Sequence, residues 1–343
     1  MTVESFIVHA PGRVNLIGDH TDYAGGLALP CAIDLGITVR GVVDDHRVTI
    51  SSDALGGTVS FPFDDEPPIA SLTPAWGRYV AAVAHEMRTP RGVRAIVNST
   101  LPVGAGLSSS AALEIAVALA LGFDGPPLEL ARLGQRAEFR AVGVPCGLLD
   151  QLAITFGEPD HALMIDFSDL SIATIAIPEG LDIVVVHSGK ERQVATSAYG
   201  ERRSACEAAA AIVGPLADAS LDDLSQLDRP LLRRARHVVT ECERVRAAAA
   251  ALASDDPRLL GQLMIDSHNS LRDDFDVSTP TLDELVSQLL LIPGVHGARL
   301  TGAGFGGCVV AVCETGAIDD PSSFTGRGWI VQPSQGARIL PSD

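Results

Sequence analysis

The stretch APGRVNLIGDHTDYAGG, residues 10–26, sets Arg13, Asn15, Asp19, His20 and Asp22 between glycines with no run long enough for a helix. Such a set reads either as a solvated loop or as a polar box built to hold a ligand. A second cluster lies in GAGLSSS, residues 104–110, directly ahead of an apolar segment from Ala111 to Leu121. With that segment helical, its first turn offers backbone N–H groups that lack intrahelical acceptors and sum with the helix dipole, an arrangement that binds anions. Gly104 and Gly106, on either side of Ala105 and ahead of Leu107, let the backbone approach a phosphate closely. The hydroxyls of Ser108, Ser109 and Ser110 can bond phosphate oxygens or ligate Mg2+. A serine cap followed by a tight turn would use the same residues without any ligand.

Two familiar phosphate and nucleophile motifs are excluded. A Walker-type loop needs a lysine at a fixed place, and the only lysine of the chain is Lys190, far downstream. The serines miss the GxSxG spacing of a hydrolase elbow. Gly302, Gly304 and Gly307 match GxGxxG formally, but CVVAV follows as a strand where a dinucleotide fold demands a helix. That loop reads as a glycine turn between two strands, or as backbone packed against the first loop or its ligand. In PCGLLDQL, Asp150 stands among apolar residues, where a carboxylate needs a cationic or hydrogen-bonding partner or takes a raised pKa. Arg13 is the natural partner, and a purely structural ion pair is the competing reading. Glu138, in RAEFRAVG, reads as a solvated helix charge unless its helix faces the serine loop, when it becomes a metal ligand.

These residues need elements to hold them. At 343 residues the chain is long enough for two domains with full cores, and its net charge of −18 argues against nucleic acid or anionic lipid as a partner. Six cysteines without CxxC pairing predict reduced thiols and no structural zinc. No basic-then-apolar leader begins the sequence and Glu114 interrupts its most apolar run, so a cytoplasmic chain that spans no membrane is expected. SFIVHA, ITVRGVV and RVTISSD read as strands, and Thr73 as the cap of a helix through Trp76, Val80 and Val83. GVRAIVNSTLP is a strand that leads into the serine loop and the apolar helix. PLELARLGQRAEFRAVG is a further helix, and the strands HALMIDF and LDIVVVHSG bracket a boundary near Pro178. From Thr196 long alanine- and arginine-rich helices dominate, with Thr279 capping one that has Pro280 at its first position. GVHGARLTGAGFGGCVVAVCE closes the series as strand, loop and strand. The class is α+β.

Three separated segments, GRVNLIGDHTDYAGG, LPVGAGLSSSAALE and TGAGFGGCVVAV, together with WGRYV, PCGLLDQ, TSAYGERR and SHNSLRDDFDVSTPTLDELV between them, closely resemble the galactokinase family of the GHMP kinase superfamily. The resemblance spans essentially the whole chain. It implies a ribosomal-S5-like N-terminal domain, residues 1–178, a ferredoxin-like C-terminal domain, residues 179–343, and an active site between them. By motif position it implies Asp150 as catalytic base with Arg13 as its partner, and Ser110 and Glu138 as the Mg2+ site. It wraps residues 104–110 around the ATP phosphates, sets Trp76 and Tyr79 in the adenine pocket, and has Asp19, His20, Asp22, Gly147 and Tyr199 contact the sugar. Trp76 and Tyr79 fit equally well as core residues of an amphipathic helix. The implied reaction is phosphorylation of the anomeric hydroxyl of galactose by ATP, in a monomer.

One departure stands out: family members usually read GEHTDY, and this chain reads GDHTDY, with Asp19 for the glutamate. A carboxylate withdrawn by one methylene lengthens a direct hydrogen bond toward a water-mediated one. Galactose with a loosened contact, or a related sugar such as N-acetylgalactosamine or arabinose, then becomes the expected acceptor. A non-catalytic sugar and ATP sensor is the rival of another class, opposed by the intact Arg13, Asp150, Ser110 and Glu138. A kinase for mevalonate or homoserine is opposed by the polar box.

Overall fold

Phe6, Val8 and Ala10 are buried while the residues between them are half-buried, so the N-terminus forms a strand with one face in the core. In the computed structural model, which describes residues 4–62, 69–87, 91–102, 104–190 and 195–341, this strand is β1 (Ser5–Asn15). Its length puts Arg13 and Asn15 on a strand rather than in a loop. Antiparallel pairing with β3 (Pro30–Asp44) runs from Ser5 opposite Val42 to Asn15 opposite Pro30, with an irregularity between Pro11 and Gly12. The short β2 (Leu27–Ala28) lies between them in sequence.

β4 (Arg47–Ser52), β5 (Thr58–Pro62), β6 (Gly92–Ser99) and the C-terminal β13 (Arg338–Leu340) complete a six-stranded sheet of order β13-β1-β3-β6-β4-β5, in which the pairing of β4 with β6 is parallel. β13 returns from the far end of the chain to the edge beside β1. Against this sheet lies α2 (Ser109–Ala120), with 10 of its 12 residues buried, as expected of a helix that is apolar on all sides. α1 (Gly77–Met87), α3 (Pro127–Val142) and α4 (Leu149–Phe156) pack around it. α1 begins at Gly77 and not at Thr73, because residues 74–79 are first closed by turns from Gly77, Arg78 and Tyr79 N–H to the carbonyls three residues back. β7 (His161–Asp166) and β8 (Ser171–Ala176) join β2 in a three-stranded sheet.

The second half places β9 (Leu181–His187), β10 (Val295–Thr301), β11 (Cys308–Glu314) and β12 (Gly328–Val331) in a four-stranded antiparallel sheet of order β10-β11-β9-β12. The glycine segment 302–307 is therefore the turn between β10 and β11, as its sequence indicates. Four helices accompany the sheet: α5 (Ala195–Val213), α6 (Arg229–Ala253), α7 (Pro257–Asp273) and α8 (Pro280–Leu290). Asp228, Asp256 and Thr279 cap the last three by accepting a main-chain N–H, each ahead of a proline in the first turn. The mixture is the α+β class read from the sequence. Among the described residues no helix is long and apolar enough to cross a membrane.

α7 meets β10 backbone to backbone. A methyl group on Gly297 would stand 2.2 Å from the Gly261 carbonyl oxygen, and one on Gly261 would stand 2.1 Å from that of His296. Neither helix nor strand can yield locally. Gly297→Ala is expected to destabilise the fold by about 2 kcal/mol or more, as overpacking does, read as a lowered urea midpoint at unchanged slope.

Candidate active site

Arg13 is the centre of the site because a guanidinium only 7% exposed needs its charge answered nearby. Its Nε and Nη2 both donate to Oδ1 of Asp150, at 2.7 and 2.6 Å, and its Nη1 donates to the carbonyl of Gly106 at 2.8 Å. Asp150 opens α4, and its other oxygen, Oδ2, accepts the hydroxyl of Ser108. One arginine on β1 therefore holds the carboxylate to the glycine loop. Gly12 permits the approach: a methyl group there would stand 2.6 Å from the Leu107 carbonyl, which accepts the Arg13 N–H at 3.2 Å.

The loop itself is left-handed at alternate residues, with φ of 72° at Gly104, 76° at Gly106 and 61° at Ser108. Loops with such left-handed residues can expose backbone N–H groups to an anion, and this one stands immediately ahead of the N-terminus of α2. Ser108 departs from the expectation that all three serine hydroxyls face phosphate, because its own is committed to Asp150. Ser110 donates to Oε1 of Glu138 at 3.0 Å, so α3 does face the serine loop. Gln151 donates to Oε2 of Glu138 at 2.8 Å. Burial, and then the charge of Asp150, raise the Glu138 pKa. Two carboxylates that repel one another beside a hydroxyl form a hard-oxygen donor set that a divalent cation would relieve, and Mg2+ takes few protein ligands when phosphates supply the rest. Among the described residues there is no cluster of three or more His, Cys, Asp or Glu that could hold a metal ion, so a cation here would depend on phosphate oxygens for most of its ligands.

Beside Asp150 opens a cavity of about 370 Å³, lined by Arg13, Asp19, His20, Asp22, Gly147 and Tyr199 as well as Asp150. The sequence segments of the polar box thus meet in one place. Tyr79, Glu138, Gly302 and Ala303 complete parts of its wall. Asp22 is pushed up to about 6 by burial and by the charge of Asp150. Gly147 is glycine because Oδ2 of Asp22 would lie 1.4 Å from any methyl group placed on it. His20 is driven down to about 3, chiefly by burial, and is therefore neutral. Its Nε2 donates to the Ala303 carbonyl at 3.2 Å and its Nδ1 accepts the Tyr23 hydroxyl at 3.0 Å. Its ring, 5.6 Å from that of Tyr199, is what the cavity sees.

Trp76 is not brought to this cavity: its indole N–H donates to the Gly56 carbonyl at 2.8 Å and its ring packs in the core. Tyr79, one turn further along, does line it. Asp19 is held by protein groups at both of its carboxylate oxygens. Oδ2 accepts Nη2 of Arg299 at 2.6 Å and Oδ1 accepts the Gly302 N–H at 3.1 Å. Arg299, wholly buried on β10, was not among the residues singled out by sequence, although an arginine within an apolar strand just ahead of a glycine turn is the signal for it. Glu114, noted only as a break in an apolar run, is buried one turn beyond Ser110, and burial followed by the Glu138 charge holds its carboxyl well above the usual range.

The segments that carry this site match the family models of the GHMP kinases. The GHMP kinases N terminal domain matches residues 77–158 and the GHMP kinases C terminal domain residues 248–320. The galactokinase galactose-binding signature matches residues 2–41. The chain belongs to the galactokinase family: it is 42% identical over 335 residues to the galactokinase of Roseiflexus sp., covering 91% of this chain and 84% of that one, and 40% identical to that of Bos taurus, covering 97% and 92%. The crystal structure of Lactococcus lactis galactokinase complexed with galactose superposes with a TM-score of 0.89 at 31% identity, covering 98% of this chain and 95% of that one. Methanococcus jannaschii mevalonate kinase, at 19% identity and a TM-score of 0.72 over 97% and 99% of the two chains, shares the fold.

The raised Asp22 pKa has a sign that can be tested. A carboxyl whose folded pKa is about 6 against 3.8 unfolded favours the folded state fully below pH 3.8, and that contribution is lost as pH rises through 6. Asp22→Asn is expected to raise the urea midpoint relative to wild type at pH 7.5, and the gain should shrink toward nothing near pH 4.

Proposed function

We propose that this protein transfers the γ-phosphoryl group of ATP to the anomeric hydroxyl of galactose, giving α-D-galactose 1-phosphate and ADP, with Asp150 as the base. The observation that carries this reading is the Arg13–Asp150 pair, set between the glycine loop and the polar cavity. The galactose-binding signature and the likeness to galactokinases support the choice of sugar.

Phosphoryl transfer asks a protein mainly for positioning and charge neutralisation. The sugar occupies the cavity, where Asp19, Asp22, Gly147 and Tyr199 face it and the neutral His20 supplies a ring wall. Its C1 oxygen attacks the γ-phosphorus, the bond to the bridging oxygen of ADP breaks, and the hydroxyl proton passes to Asp150. A carboxylate oxygen accepts in two directions, so Asp150 can hold Arg13 and Ser108 and still receive that proton. Arg13 favours the charged form of Asp150 and offsets negative charge as it develops. Residues 104–110 cradle the phosphates through backbone N–H groups at the N-terminus of α2, with Tyr79 on the nucleotide side and Trp76 supporting the turn before α1. Ser110 and Glu138 would hold Mg2+, which neutralises phosphate charge when bound. The work is divided between an N-terminal portion, residues 1–178, and a C-terminal portion, residues 179–343, acting as a cytoplasmic monomer.

Asp150→Asn is expected to keep galactose binding within a few-fold of wild type while lowering kcat by about a hundredfold or more, the usual scale for losing a general base. ADP release at saturating sugar, with calorimetric titration of galactose, reads both; near-normal turnover removes Asp150 from the role. Glu138→Gln is expected to raise the Mg2+ concentration needed for half-maximal ADP release without altering galactose binding, and an unchanged Mg2+ dependence would remove Glu138 from the metal site.

A further inference from the structure

The segment from Asn15 to His20, which carries part of the cavity wall, is held by groups from the second half of the chain. The Asn15 carbonyl accepts the Thr301 hydroxyl at 2.9 Å, and the Leu16 carbonyl accepts Nη1 of Arg299 at 3.1 Å. The Gly18 N–H donates to Glu241 at 3.0 Å, and the Asp19 carbonyl accepts Nε2 of His237 at 3.1 Å. Of these groups, Arg299 reaches both the backbone of this segment and a side chain that lines the cavity, through the 2.6 Å contact of Nη2 with Asp19. The other oxygen of Asp19 takes the N–H of Gly302, three residues beyond Arg299 and itself part of the wall.

We infer that Arg299 is a positioning residue for sugar recognition: it fixes the Asp19 carboxylate and, through it, the relation of the polar box to the glycine turn between β10 and β11. The inference rests on reading the cavity as the sugar subsite. A planar guanidinium can point one nitrogen at the Leu16 carbonyl and another at the carboxylate from a fixed fork, which an ammonium cannot. With both its oxygens engaged, Asp19 presents only its remaining acceptor directions to a sugar hydroxyl. The length of the side chain at position 19 and the fork at position 299 therefore set together where that acceptor stands. A site that bonds a hydroxyl discriminates strongly only when such geometry is tight.

Arg299→Lys and Arg299→Gln test this, assayed for ADP release with galactose and ATP varied separately and with thermal unfolding followed in parallel. The expected result is a KM for galactose raised about tenfold, the scale of one charged hydrogen bond, with the KM for ATP within twofold of wild type. In an Asp19→Asn background the same substitutions should add little to the galactose KM, because Arg299 acts through Asp19. A purely structural role would instead lower melting temperature and active fraction and leave the galactose KM of the folded enzyme unchanged, which overturns the inference. So would equal shifts in both KM values, full additivity with Asp19→Asn, or failure of both variants to fold at saturating galactose. A wild-type protein that releases no ADP with galactose would remove the underlying sugar reading as well; a normal wild type with unshifted Arg299 variants removes only the positioning role.

Discussion

The charge of Arg13 is the constraint from which the arrangement of the site follows. A guanidinium with almost no solvent cannot stand alone in a protein interior, and once Asp150 answers it, neither residue can move without stranding the other. The pair therefore fixes α4 against β1. The third nitrogen extends the same constraint to the glycine loop through the Gly106 carbonyl. Carboxylate, loop and strand thus share one rigid hub, and the cavity opens beside it. Rigidity of this kind is what phosphoryl transfer requires, since little of the chemistry lies outside the alignment of attacking and transferred groups.

A second set of contacts joins the two halves of the chain at the same place. Burial alone would raise the Glu241 pKa, yet it is driven down to about 2, chiefly by the guanidinium of Arg244 with that of Arg299, and its carboxylate accepts from both Gly18 and Ser267. Cys308, just past the glycine turn, donates to the Ala105 carbonyl of the 104–110 loop. The wall of the cavity is thus assembled from distant segments by polar groups that would each be costly if left unpaired. This explains why so many charged residues are tolerated in the interior of an acidic protein. It also explains the glycines at 12 and 147, where backbone or a carboxylate occupies the space of a side chain.

Much of this was legible from residue types. Arg13 and Asp150 were readable as partners because a buried carboxylate needs a cation, and the serine loop as the lead into a buried apolar helix. The caps at Thr279 and Pro280 and the turn between β10 and β11 follow from local chemistry that no tertiary contact overrides. Contacts made across the fold were not legible. The place of Arg299 in an apolar strand marks it as unusual, but nothing local says that its partner is Asp19, 280 residues earlier. Ser108 looked equivalent to its two neighbours, yet its left-handed backbone sends its hydroxyl to Asp150. The return of β13 to the edge of the first sheet likewise depends on a pairing more than 300 residues apart, Ile7 with Leu340, that no short-range pattern announces.

The central claim is that the cavity beside the Arg13–Asp150 pair holds the sugar with its reacting hydroxyl against the Asp150 carboxylate. A crystal structure with galactose and a nonhydrolysable ATP analogue measures this directly. The sugar should lie among Asp19, Asp22, Gly147 and Tyr199, with its anomeric oxygen within about 2.6–3.2 Å of Asp150, the reach of a general base, and the phosphates on residues 104–110. Galactose bound elsewhere, or bound here with its anomeric hydroxyl turned away from Asp150, would contradict the account.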